Sequence, residues 1–367
     1  MRLLVSAVDA AADRFAARVI DALRADGAPL EASGVGREAL ARAGVTLLRR
    51  GNDLSAVGLV EALPRAGAAA RTVLRLSARL LARQADALLV VDAPELHLPL
   101  LRVARLAGVP AVYYLPPQAW AWRAGRARAI AWSGARLATV LPFESAWWRA
   151  RGVFAEFVGH PILDEPLPAR RPESGVCAIF PGSRPEEVRR HLAPMLGAAR
   201  RLGMRPIVGL APGVAPPAGV ETASGAEAIA RAEVAIAKSG TICLEAALAG
   251  LPTVIVYRLA RVTFALARRL VRVPHVGLPN LVLGRAAYPE LLQNDVSADG
   301  IARALSAIAG RDFAGEAAEL RERLGPSVSS DGVRRPGAAR RVAALVRAAA
   351  ANSVDSFPTA ASELRRT

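Results

Sequence analysis

Three short stretches of this 367-residue chain combine residue types suited to chemistry, each directly after an apolar run. In VVDAPE, Asp92 ends the run ALLVV. A carboxylate at the rim of a sheet loses part of its hydration, which raises its pKa toward that of a useful general base. Capping the next turn is the ordinary employment of such an Asp, and Glu95 and His97 stand close enough to compete for the role. In PGSR, Gly182 lets the backbone approach a ligand, Ser183 can cap a helix and Arg184 can reach a phosphate, although a plain capped turn has the same letters. In the third, Ser239, Gly240 and Thr241 open TICLEAALAG after the run EVAIAK. Amides at a helix start, the positive end of its dipole and two hydroxyls make a metal-free site for a diphosphate. Glu245 is one residue too far from Thr241 for a capping box, so it is read as facing a ligand and accepting bonds from a ribose, a solvated helix face being the plainer use.

Elements of the right kind surround these turns. RLLVSAV, ADALLVVDAP and VPAVYYL read as short buried strands, with DRFAARVIDALRADG and the arginine-rich TVLRLSARLLARQ as helices. A proline- and charge-rich stretch, GHPILDEPLPARRPESG, reads as a linker. A second cycle follows it: VCAIF, RPIVGLA, EVAIAK and PTVIVYR as strands, alternating with helices. Length and rhythm predict an α/β protein of two Rossmann-like domains facing a central cleft, 1–162 and 163–350. The last helices are read as able to cross back to the first domain, and 351–367 as a disordered tail. The three turns then fall at the carboxyl ends of parallel strands, where such sheets bind ligands.

Composition narrows the class. No stretch offers the roughly 20 apolar residues of a spanning helix, and MRLLVSAVDAAAD reads as a strand and turn, which predicts a cytoplasmic protein. Cys177 and Cys243 stand far apart without a metal-ligand pattern, so buried thiols are expected and no metal or other cofactor. The net charge of +16 suits an anionic partner. Lys238 is the only lysine, which points to genomic base composition behind part of the arginine excess. A noncatalytic binder of nucleic acid or anionic membrane is the reading from another class, but the cations are scattered and no nucleic-acid motif is present. All five tryptophans lie between 120 and 148. Trp120, Trp122, Trp132, Trp147 and Trp148, interleaved with Arg123, Arg126, Arg128 and Arg149, have the amphipathic character of a lipid interface; packing beside a site is as good a reading for Trp120 and Trp122. ARVTFALARRLVRV, 260–273, is a second candidate for that surface.

In this order the motifs VDAPE, PPQAWAWR (116–123), LPFE (141–144), VGHP (158–161), PGSR followed by EEV, AKSGTICLE (237–245), VYR (256–258) and GLPNLVLGR with PELLQ (277–293) resemble the lipid-A-disaccharide synthase family, inverting glycosyltransferases of the GT-B fold. The resemblance covers most of the chain. It implies transfer from UDP-2,3-diacylglucosamine to 2,3-diacylglucosamine 1-phosphate on the inner face of a membrane, with no nucleic acid involved and oligomerisation left open. It further implies Asp92 as the base, Arg184, Ser183 and the SGT turn on the diphosphate, Glu245 on the ribose, and Asn280, Glu290 and Gln293 on the donor side. Asp9, Asp13, Trp120, Trp122 and Arg123 fall on the acceptor and lipid side. One motif departs: where the family carries Gly-Glu-x-Ser-Gly-Asp, this chain has Val8, Asp9, Ala10, Ala11, Ala12 and Asp13. That exchange of glycines and serine for methyl groups favours the runner-up, another UDP-sugar transferase or epimerase of the same fold. The stretch between PGSR and AKSGT is also short.

Overall fold

The computed structural model describes residues 1–51, 59–210, 214–260, 264, 273–325 and 337–351, with side chains from 67 onward in the helix that begins at Leu59. Most of the 260–273 segment and all of the tail beyond 351 lie outside the described residues. The chain divides into two units, one formed by Met1–Asp164 with the chain from Val328, the other by Glu165–Ser327.

In the first unit the strands are β1 (Arg2–Ala7), β2 (Glu31–Gly36), β3 (Thr46–Arg50), β4 (Ala87–Val91), β5 (Ala111–Tyr114), β6 (Arg136–Thr139) and β7 (Ala155–Phe157). They form a parallel sheet in the order β3-β2-β1-β4-β5-β6-β7. The inner strands β1, β4 and β5 are almost wholly buried, as their continuous apolar runs require when both faces are covered. Helices α1 (Ala10–Ala25), α2 (Glu38–Arg42), α3 (Leu59–Leu81), α4 (Pro94–Ala107), α5 (Arg126–Ser133) and α6 (Glu144–Arg149) connect them. Strand order reverses between β1 and β4, so the turns after these two strands flank the switch point where such sheets take ligands.

The second unit repeats the plan with β8 (Val176–Phe180), β9 (Arg205–Leu210), β10 (Glu221–Ser224), β11 (Val234–Lys238), β12 (Thr253–Tyr257) and β13 (Glu290–Leu292), in the order β10-β9-β8-β11-β12-β13. Its helices are α7 (Pro185–Arg201), α8 (Gly225–Arg231), α9 (Thr241–Leu248), α10 (Leu278–Leu283), α11 (Ala298–Ile308) and α12 (Ala314–Leu324). The reversal falls between β8 and β11, directly below PGSR and SGT. Both cysteines are buried here, and burial pushes each thiol up to about 12.

The last described helix, α13 (Ala338–Ala351), belongs to the first unit, where it packs on α1 and on β4 to β6. Asp164 fixes its start, accepting from the amides of Ala338 at 3.0 Å and Ala339 at 2.8 Å. The Arg18 guanidinium donates to the Asp164 carbonyl at 2.9 Å, tying α1 to the same point.

Candidate active site

In the first unit the register pairs Ala7 with Val91, so the turns that carry Asp9 and Asp92 leave adjacent strands at the same edge. Asp92 is half-buried and adopts φ 55°, and Ala93 follows at φ 43°. The Asp92 carbonyl accepts from His97 Nδ1 at 2.6 Å and from the Tyr113 hydroxyl at 2.8 Å. His97 is fully buried, with Nε2 at 2.9 Å from Ser6 Oγ, and burial pulls its pKa down to about 4. Glu95 is engaged by Arg126 at 2.5 Å and Arg123 at 3.3 Å. Of the three groups that compete for the base from spacing, His97 is walled in, Glu95 is exposed and bound to two arginines, and Asp92 is half-buried at the switch point.

The loop PPQAWAWR follows β5 at this edge. Trp120 donates its indole N–H to Glu144 at 2.9 Å and meets Phe143 edge-on. Glu144 is buried, and its other oxygen accepts from the amides of Val140 and Leu141. Burial raises its pKa, only partly offset by these donors. Trp120 is thus a brace between two loops, while Trp122 is exposed with Arg123 stacked over its ring at 4.4 Å. The tryptophans do not form one surface: Trp148 is wholly buried in the core, which corrects its placement at a lipid interface, and Trp132 is exposed. Asp13 is 2% exposed and accepts from the amides of Arg37 and Ala39 at 2.6 and 2.8 Å, so it secures the start of α2. Asp9 sits at the N-cap position of α1 without a side-chain cap bond.

In the second unit PGSR and SGT leave adjacent strands, with Phe180 beside Ala237. Glu187, in the first turn of α7, organises both. It accepts from the Ser183 amide at 3.0 Å, pairs with Arg184 at 3.2 Å and with Lys238 Nζ at 2.9 Å. Burial alone would raise the Glu187 pKa; Lys238, the Ser183 amide and Arg184 outweigh it and hold the carboxyl below its ordinary value. Gly182, at φ +123°, is required because a Cβ there would strike the Glu187 side chain. The expected Ser183 cap is not made: Arg184 occupies the N-cap position, and the acid of α7 reaches back instead.

Ser239 donates its hydroxyl to the Val276 carbonyl at 2.7 Å, leaving Gly240 as N-cap of α9 and Thr241 exposed. The first amides of α9 have no acceptor within the helix and sit at its positive end. Glu245, one turn on, is half-buried. Asn280 is fully buried, its amide N–H group donating to the Tyr288 carbonyl and to Glu290, both at 2.8 Å, and its oxygen accepting from the Tyr288 amide. Glu290 accepts from the Val276 and Gly277 amides at 2.8 and 3.0 Å. Gln293 clamps the backbone of Leu259, accepting at 2.7 Å and donating at 3.2 Å. Asn280, Glu290 and Gln293 therefore shape the loops that end β11 and β12.

Residues without an assigned role in the sequence reading complete this edge. The Arg258 amide donates to His191 Nε2 at 2.9 Å and its Nε to the Gln293 carbonyl at 3.1 Å. His191 Nδ1 donates to the Glu187 carbonyl at 2.8 Å, which fixes its neutral tautomer; burial is the main cause of its lowered pKa. The acid three residues after Arg184 was the available signal for Glu187; nothing in local spacing marks His191.

The family model described as lipid-A-disaccharide synthetase matches residues 3–205 and 220–318. Residues 206–219, between PGSR and AKSGT, fall outside the match. A lipid-A-disaccharide synthase of Anaeromyxobacter dehalogenans is 37% identical over 352 residues, 88% of this chain and 92% of that protein. One of Geobacter sulfurreducens is 33% identical over 374 residues, 94% and 96% of the two chains. Among solved structures, the glycotransferase of kitacinnamycin covers 95% of this chain and 98% of its own at a TM-score of 0.62 and 16% identity. Acinetobacter baumannii MurG covers 95% and 99% at 0.53 and 14%, and Methanocaldococcus jannaschii UDP-GlcNAc 2-epimerase 95% and 100% at 0.63 and 9%. At these identities the structures establish the fold alone, which transferases and epimerases share. The sequence relatives decide between them: this chain belongs to the lipid-A-disaccharide synthase family, hexosyltransferases of the GT-B fold.

Proposed function

We propose that the chain joins UDP-2,3-diacylglucosamine to 2,3-diacylglucosamine 1-phosphate with inversion. The acceptor 6-oxygen forms a bond to the donor anomeric carbon, the bond from that carbon to the diphosphate oxygen breaks, and its electron pair leaves with UDP. Asp92 takes the acceptor proton. Arg184 and the amides of Gly240 and Thr241 bind the developing charge on the diphosphate, with Ser183 and Ser239 holding their loops in place and Glu245 accepting from the ribose. Asn280, Glu290 and Gln293 act by shaping the same loops. The work is orientation and anion stabilisation, since UDP is a good leaving group. The observation that carries this reading is the placement of both chemical turns at switch points, with the diphosphate candidates PGSR and SGT coupled through Glu187.

The lipid substrates place the enzyme on the cytoplasmic face of a membrane as a peripheral protein. In support, residues 67–155 hold a dozen arginines against the acids Asp86, Asp92, Glu95 and Glu144. The same segment exposes Leu74, Leu81, Leu106, Trp122, Trp132 and Phe154. Apolar side chains among unbalanced cations suit an anionic bilayer. Among the described residues no helix is long and apolar enough to cross one. Asp9, Trp122 and Arg123 are the residues proposed for the acceptor side, with Trp120 and Asp13 bracing its loops.

The decisive experiment incubates the purified protein with the two acylated glucosamine substrates and follows UDP release. UDP formed only when both are present, and abolished in Asp92→Asn with UDP binding retained, is the expected result. UDP release in Asp92→Asn at the wild-type rate removes Asp92 as base, and no disaccharide from either protein removes the reaction.

A further inference from the structure

Asp92 and Ala93 are consecutive non-glycine residues in the left-handed region, at φ 55° and 43°. Each such residue is strained by its Cβ, and the strain persists only where the surroundings impose it. Ala93 also precedes Pro94, which ordinarily drives its predecessor to extended backbone. Something must therefore hold this turn; the Asp92 amide donates to the Tyr114 carbonyl at 3.1 Å, and the Asp92 carbonyl is held by side chains. That oxygen accepts two hydrogen bonds from side chains, the 2.6 Å bond from His97 and the 2.8 Å bond from Tyr113. A carbonyl only accepts, so His97 carries its proton on Nδ1, and Nε2 must accept from the Ser6 hydroxyl at 2.9 Å. Ser6 lies on β1, Tyr113 on β5, and both neighbour β4, so the two strands beside the turn grip it from either side. Ser6, His97 and Tyr113 are all fully buried and out of reach of substrate.

We propose that Ser6, His97 and Tyr113 are positioning residues that hold the Asp92–Ala93 turn in its strained form and thereby aim the Asp92 carboxylate. The proposal rests on the reading of Asp92 as general base. Without the clamp, Ala93 relaxes toward extended backbone and the carboxylate swings away from the acceptor hydroxyl. Donor binding lies in the other unit and is untouched.

The test compares Tyr113→Phe, Ser6→Ala, His97→Leu and His97→Gln in the full-length protein, measuring kcat, KM for each substrate and the Kd for UDP. Loss of one bond to the carbonyl should lower kcat about five- to tenfold while the UDP Kd stays within about twofold. His97→Gln, which keeps a donor, should recover most of the loss. Ala93→Gly should restore turnover to His97→Leu, because glycine holds a left-handed turn without a clamp. Wild-type kcat in both His97→Leu and Tyr113→Phe overturns the proposal, as does a loss that Ala93→Gly leaves unchanged. If His97→Leu does not fold, Tyr113→Phe decides alone, since it removes one hydroxyl and keeps the ring. Asp92→Asn separates the two ideas: turnover retained there sinks the base, whereas an inactive Asp92→Asn beside fully active clamp variants sinks only the clamp.

Discussion

The chain's single lysine, Lys238, is paired with Glu187 at 2.9 Å, both side chains being more than four-fifths buried. The pair joins the end of β11 to the first turn of α7, and through the Ser183 amide it fixes PGSR against SGT. Breaking a mostly buried pair leaves a charge uncompensated, at a cost of about 3 kcal/mol. Lys238→Met is therefore expected to weaken UDP binding by at least about tenfold and to lower Tm, whereas Lys238→Arg retains more of both. Calorimetric titration with UDP checks it; unaltered affinity in Lys238→Met would separate the pair from the diphosphate site.

Acid should unfold the first unit earlier than its carboxylates alone would require. Burial depresses both His97 and His160 from 6.5 to about 4. The unfolded chain binds protons at these sites that the folded chain refuses, so the stability they contribute is complete above pH 6.5 and is lost as pH falls toward 4. Each contributes about 3 kcal/mol. Thermal melts between pH 7 and 4.5 should show the decline, and His97→Gln should remove about half of it, the rest belonging to His160.

Asn280→Ala removes three internal hydrogen bonds at once and strands the Tyr288 amide. The expected cost is about 2 to 3 kcal/mol. Because Glu290 loses a partner while it holds the Val276 and Gly277 amides, KM for the donor should rise as well. Steady-state kinetics beside thermal melts measure both, and a Tm loss with unchanged KM would confine Asn280 to packing.

Two classes of tryptophan should behave oppositely toward vesicles. Trp132 is 53% and Phe154 55% exposed, so changing both to serine should reduce co-sedimentation with anionic vesicles without lowering Tm. Trp148 is 0% exposed, and Trp148→Ala should cost about 3 to 5 kcal/mol and unfold the unit before any membrane effect can be read.

The inner strands of both sheets were legible because burial on two faces writes a continuous apolar run, as in ALLVV and VCAIF. β2, β3, β7, β10 and β13 were not. EASGVG, TLLRR, AEF, ETAS and ELL are short or polar, since strands toward a sheet's margin bury less and need no such run. RLAT, β6, lies inside the sheet but has only four residues. The turns were visible for a related reason: each stands directly after one of these apolar runs, at the carboxyl end of a strand, although the same letters also suit a plain capped turn. What escaped was partnership at long range. Glu187 meets Lys238 and Ser6 meets His97 across 51 and 91 positions, distances that only the crossover of strands makes short. Spacing likewise separates no exposed indole from a buried one: Trp132 and Trp148 are equally apolar letters in the sequence, yet one is exposed and the other is wholly buried in the core.

The return of α13 to the first unit makes the second an insertion in the first. During synthesis the ribosome completes Glu165–Ser327 while its host still lacks the helix that covers β4, β5 and β6. The first unit must therefore wait, one apolar face uncovered, until Ala338–Ala351 has been made, and a product cut short before that helix would expose the face to every passing chain.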